Sequence, residues 1–156
     1  MRSCRKTLTR EGLAVVFATD ESTLPCFARL LAAEDEARRE GRGFWSGEEL
    51  PEAVPAALRP LIGRFAIFEG VILSVGNRRA TTYLNFGTWW SEDVTVEVLA
   101  GDRERFGGEE GLSALAGKRV RVRGFLEDKA GPMLLVRSPM QLEEVGPPAL
   151  ANGEVP

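Results

Sequence analysis

Between Gly117 and Gly124 the chain reads Gly-Lys-Arg-Val-Arg-Val-Arg-Gly, so that Val120 and Val122 alternate with Arg119, Arg121 and Arg123. A strict period of two with a cation at every second position gives a helix no apolar stripe. It describes a strand with one face on a core and the other carrying charge. One such strand cannot stand alone, and the surrounding sequence supplies partners for it. Residues 65–75 (Phe-Ala-Ile-Phe-Glu-Gly-Val-Ile-Leu-Ser-Val) form a β-branched and aromatic run long enough for a bent first strand, with Gly70 at the bend. A loop over Asn77–Ala80 leads to a second strand over Thr81–Phe86. A corner at Trp89-Trp90 then precedes a third strand over Val94–Leu99. Arg103–Ala116 is broken by glycines but offers Phe106, Leu112 and Leu115, which predicts short helical turns bridging to Gly117. The fourth strand covers Lys118–Glu127, a Gly131-Pro132 turn opens a fifth at Met133–Val136, and Gln141–Val145 closes the unit.

Three strands, a helical connector and two more strands in about 80 residues is the element order of an oligonucleotide/oligosaccharide-binding (OB) barrel. The strand Gly117–Gly124, followed by a glycine turn and Pro139-Met-Gln-Leu142, resembles the last two strands of bacterial OB domains. The expected fold is therefore mainly β with an N-terminal helix, α+β overall, built around a five-stranded OB-fold barrel over residues 64–145 with Val120 and Val122 facing its core.

The remaining chain divides by composition. In residues 1–46, Leu13–Ala18 reads as a short strand, and an amphipathic helix follows over 25–42. Pro25 opens that helix, Gly41 and Gly43 end it, and Phe44-Trp45 folds back as an aromatic anchor. Pro51, Pro55 and Pro60 mark 47–63 as a linker with room for one helical turn near 56–58. The tail 146–156 is expected to be disordered.

With no histidine in the chain, a Ser/His/Asp triad or Cys/His pair is excluded, and Cys4 and Cys26 have no metal-site spacing. The two cysteines are expected as free thiols, and no cofactor or metal is expected. The acidic trio Glu34-Asp-Glu36 points in three directions along a helix, so it reads as solvated charge. The apolar run 13–18 is too short for a membrane span or a secretory core, so the chain as it stands reads as soluble and untargeted, with no membrane partner. Lys and Arg number 9 against 10 Asp and Glu in residues 1–59, and 11 against 12 in residues 60–145, so neither part is basic overall. Any nucleic-acid affinity must come from locally concentrated cations.

Leu8-Thr-Arg-Glu-Gly-Leu-Ala-Val-Val16 and then Leu30-Leu-Ala-Ala-Glu-Asp-Glu-Ala-Arg-Arg-Glu-Gly-Arg-Gly-Phe-Trp-Ser46 are similar to the C-terminal portion of staphylococcal-nuclease-like (thermonuclease) domains. There an L-x-R-x-G-L-A motif leads into a helix ending in a basic run and an aromatic-Trp pair. Some bacterial members carry a further module like 64–145, with the same Y-L-N-F-G as Tyr83–Gly87. The resemblance covers residues 5–46. It implies a bacterial protein whose relatives include exported nucleases that use calcium carboxylates and two arginines. The motifs that hold those groups are absent from this sequence, so no catalytic residue carries over.

An OB barrel binds across its second and third strands, between the loops that follow the first and fourth. On that map the candidates are Arg78 and Arg79 in the first loop, Tyr83 and Asn85 on one strand face, Trp89 and Trp90 at its end, and Lys129 in the later loop. Arg119, Arg121 and Arg123, about 6.7 Å apart along one face, add a positive stripe. The aromatics serve either packing or base stacking. The stripe serves either phosphate contact or cross-strand pairing. Three readings stay open: a non-catalytic OB module binding single-stranded DNA or RNA as the accessory part of a thermonuclease-family protein; a protein- or glycan-interaction module using helix 25–42; or part of an active nuclease whose start lies upstream.

Overall fold

The valines of the alternating strand enter the core, and that placement organises the rest. In the computed structural model, which describes residues 6–18, 24–47, 49–89 and 92–146, strand β5 (Arg119–Asp128) runs between β1 (Phe65–Val71) and β6 (Pro132–Leu135). The sheet continues from β6 through β4 (Thr95–Leu99) and β3 (Thr81–Asn85) to β2 (Ser74–Asn77), while a short β7 (Leu142–Glu144) adds to β5. All pairings are antiparallel except β4 with β6. β1 and β2 are the two halves of one bent strand, so the path from β1 to β2 curls the sheet back on itself as an OB-like fold.

The bend falls at Ile72-Leu73, beyond Gly70. Ile72 still pairs with the β5 side, donating to the Lys118 carbonyl (3.0 Å), whereas Leu73 has turned to the β3 side and donates to the Asn85 carbonyl (2.8 Å). The strand bends where it changes partners. Gly70 lies within β1, where a Cβ would stand 2.5 Å from that of Ala53. The interior holds Phe68, Ile72, Leu84, Val96, Val98, Val120, Val122, Leu126 and Leu134. Removing one such large side chain costs about 2–5 kcal/mol.

The stretch expected as a linker contributes to this core. Ala53 and Leu58 are buried in it, Leu58 from helix α3 (Pro55–Leu58), while Glu52 bridges to Glu69 of β1. The connector between β4 and β5 is a 3-10 segment Ala100–Phe106 followed by α4 (Gly108–Ser113), whose Leu112 is buried in the same cluster.

Upstream, α1 (Lys6–Arg10) packs on α2 (Leu24–Arg39). Helix α2 stops three residues earlier than its sequence suggests. Gly41 takes a left-handed φ of +61°, which lets Arg42 donate to the Ala37 carbonyl (2.9 Å) and Gly41 to that of Arg38 (3.2 Å). Trp45 is buried with Ala37 and Ile67, whereas Phe44 is exposed and meets Trp45 edge to face. Residues 15–18 are not a strand. The Val16 amide donates to Glu34 Oε2 (2.7 Å) and its carbonyl accepts from Arg123 Nη1 (2.7 Å), so side chains take the groups a ladder would have used. Cys26 is disulfide-bonded, against the expectation of a free thiol, and Cys4 lies outside the described residues, as does the tail from 147. Among the described residues no helix is long and apolar enough to cross a membrane.

Candidate nucleic-acid interface

The alternation that buries Leu84, Val96 and Val98 turns Tyr83 and Asn85 of β3, and Thr95 and Glu97 of β4, to the outer face of the sheet. The register aligns them in two rows across the strands. Gly76, Tyr83 and Glu97 form one row; Ser74, Asn85, Thr95 and Met133 form the other. A groove of about 590 Å³ runs over both rows, lined by Gly76, Arg78, Tyr83, Asn85, Thr95, Glu97, Lys129, Ala130 and Met133. Asn85 donates to Ser74 Oγ (3.2 Å), which fixes its amide.

The loop bearing Arg78 is held from below by Arg103. Its guanidinium donates to the Arg78 carbonyl, to Thr82 Oγ1 (2.9 Å) and to Glu109 (3.1 Å), while Thr82 in turn donates to Asn77 Oδ1 (2.7 Å). At the opposite end the β5–β6 turn puts Ala130 at φ +53° and brings Lys129 over the groove. The Lys129 ammonium lies 2.9 and 3.0 Å from the two oxygens of Glu97, a hydrogen bond that raises its pKa. Glu97 is 5% exposed. An adjoining hollow shares Ala130 and carries Glu92, Asp128 and Arg59, so acidic groups border this end.

Of the remaining sequence candidates, Arg79 is exposed in the first loop. Trp89 is 74% exposed in the turn leaving β3, its amide bonded to Asp93 Oδ2 (2.5 Å). Trp90 lies outside the described residues.

The three strand arginines stand elsewhere, on the outer face of β1, β5 and β7 beneath the N-terminal segment. In the register of β5, Arg121 sits between Glu69 of β1 and Glu143 of β7. It is bonded to both, at 3.0 and 3.1 Å. Arg119 pairs with Glu52 and Glu69, and the hydrogen bond it donates to Glu52 raises its pKa. Arg123, 0% exposed, makes a two-pronged pair with Glu34 of α2 (2.8 and 3.0 Å) and also donates to Val16. Glu34 is 2% exposed, which corrects the solvated-charge reading for that member of the acidic trio, while the Asp35 and Glu36 side chains keep solvent contact. Helix α2 thus docks on its own barrel, with Arg38 reaching Glu69 (3.5 Å) and Asp35 reaching Arg121 (3.9 Å). Phosphate has no route to Arg123, and each arginine of the stripe already has a carboxylate in place. Burial holds the Glu143 carboxyl above the usual carboxylate range, although Arg123 nearby pulls it down.

Sequence reasoning missed Arg103 and Glu97. Arg103 sits in a connector without periodicity. Glu97 was discoverable, because Val94-Thr-Val-Glu-Val-Leu99 alternates in phase with Tyr83 and Asn85.

No family profile matches the chain, and no curated protein does. Among solved structures, the asparaginyl-tRNA synthetase of Pyrococcus horikoshii is 17% identical over 62% of this chain and 23% of its own, with a TM-score of 0.40. An OBody bound to hen egg-white lysozyme is 18% identical over 65% of this chain and 99% of its own, TM-score 0.44. The aspartyl-tRNA synthetase of Entamoeba histolytica is 12% identical over 62% of this chain and 22% of its own, TM-score 0.34. This chain spans about a quarter of the length of the two synthetases.

Proposed function

We propose that this chain is a non-catalytic OB module that holds single-stranded nucleic acid in the groove across β2, β3 and β4. The observation that carries the reading is the composition of that groove. A half-buried tyrosine lies on the outer sheet face, with Arg78 on the loop at one end and Lys129 on the turn at the other. A stacked base contributes about 1–3 kcal/mol whatever its identity, and cations at both ends add phosphate contacts that stacking alone lacks. Arg79 and Trp89, both exposed in the flanking loops, extend the path. Arg119, Arg121 and Arg123 are left out of the interface, since carboxylates and the N-terminal segment occupy them.

The motifs at residues 8–16 and 30–46 support a finer reading, in which the module is the accessory part of a thermonuclease-like protein. That family's calcium-binding and catalytic motifs are missing from this sequence, so the proposed role is binding rather than cleavage.

The test is fluorescence anisotropy of labelled single-stranded DNA and RNA oligomers at low and moderate salt. Binding that weakens with salt and is lost in Tyr83→Ala supports the reading. Absence of binding at tens of micromolar chain contradicts it.

A further inference from the structure

We propose that Glu97 selects among bases in this groove, favouring those that present an amino group, with Lys129 acting as its removable cover; this rests on the nucleic-acid reading above. Tyr83 and Glu97 are directly opposed across β3 and β4, and side chains so placed have Cβ atoms about 4.5–5.5 Å apart. On the other side of Tyr83 stands Gly76, where a Cβ would meet nothing within 4 Å. The ring therefore has open space beside it on one flank and a carboxylate on the other. A base stacked on Tyr83 brings its polar edge within reach of Glu97.

Glu97 differs from Glu34, another buried carboxylate, in what holds it. Glu34 is clamped by Arg123 and the Val16 amide, all in the interior. Among the described residues the Glu97 carboxylate is bonded by Lys129 alone, and that side chain is 59% exposed. An ammonium with three donors can turn to an incoming phosphate, and the strand phosphates would arrive on its exposed side. The exchange leaves two acceptor oxygens on the groove floor, which lose stability unless N–H groups replace the ammonium. The 4-amino group of cytosine or the 6-amino group of adenine meets that need. Uracil and thymine present a carbonyl oxygen at position 4, which repels the carboxylate, and beside it a single N3–H where the amino group of cytosine or adenine supplies two N–H donors.

Oligo(dC) and oligo(dU) of equal length isolate this difference, because the two bases differ only at position 4 and the adjacent ring nitrogen. Anisotropy with the purified chain at neutral pH and low salt should give affinity for oligo(dC) about tenfold above that for oligo(dU). Glu97→Gln, whose amide both donates and accepts, should bring the two affinities within about twofold of each other. Lys129→Gln should weaken both oligomers alike and keep the preference, which provides a second reading should Glu97→Gln fail to fold by circular dichroism. Equal binding of the two oligomers to the parent chain, tighter binding of oligo(dU), or a preference that survives in folded Glu97→Gln overturns the selection. If both oligomers bind equally, the nucleic-acid reading stands and only the selection falls. If neither binds, the reading of the groove fails and the selection with it.

Discussion

The two outer faces of this barrel are built from the same alternating strands and end in opposite states. On the face of β1, β5 and β7, three arginines meet Glu34, Glu52, Glu69 and Glu143, and the segment carrying Val16 and α2 lies over Arg123. On the face of β2, β3 and β4, a tyrosine, an asparagine and one lysine–glutamate pair line a groove. The basic strand is thus the docking surface for the chain's own N-terminal segment, and the less charged face is the one left open. Density of cations along a strand says little about which face binds an anion. What decides it is the carboxylates that the register and the flanking segments bring opposite.

The largest effect that separates the two faces is on stability. Arg123→Met leaves Glu34 buried without its cation and should cost about 3–5 kcal/mol in urea unfolding, whereas the pair Arg123→Met with Glu34→Leu should recover most of that loss. A loss below 1 kcal/mol on Arg123→Met alone would mean that the N-terminal segment is not held by this pair. Next comes Tyr83→Ala, expected to lower affinity for single-stranded oligomers by about 1–3 kcal/mol. Its unfolding midpoint should stay close to that of the parent, so that each face fails in its own assay. A large drop in stability with unchanged binding would reverse the assignment of Tyr83.

Ala130→Gly sharpens the picture of the open face. Alanine at φ +53° is strained by about 1 kcal/mol relative to a relaxed residue, and relieving it should raise stability by somewhat less than that. No change in urea unfolding would show that the turn is not strained. The smallest expected effect is a pH trend on the closed face. The Glu143 carboxyl titrates above the usual carboxylate range when folded, so its contribution to stability is fully present below that range and is lost as pH rises through the folded value. Glu143→Gln, which cannot ionise, should therefore gain on the parent as pH rises through that value. A stability difference independent of pH, or falling with pH, would contradict the burial assigned to Glu143.

Much of the barrel was legible because its signals are local. The alternation at 119–123 and 94–99, the Gly131-Pro132 turn and the glycine-broken connector each declare themselves within a few residues. The bend was misplaced because Gly70 is a compositional cue, whereas the actual bend is set by Ile72 and Leu73 bonding different neighbours. The state of the arginine stripe was not legible. Glu69 is 52 residues from Arg121 and Glu34 is 89 from Arg123, and no local pattern fixes such pairings. The same holds for residues 13–18, whose apolar run suggests a strand until Glu34 and Arg123 take the backbone groups of Val16. On the open face, Arg78, Tyr83, Asn85 and Lys129 were legible from alternation and loop position, while the Lys129–Glu97 contact was not.

The most direct test of the division between faces is amide chemical-shift mapping of the isotope-labelled chain during titration with a single-stranded oligomer. The account predicts shifts at Gly76, Arg78, Tyr83, Asn85, Glu97 and Lys129, with Val16, Glu34 and residues 119–123 unmoved. Shifts concentrated at 119–123 and along α2, with the groove silent, would contradict it.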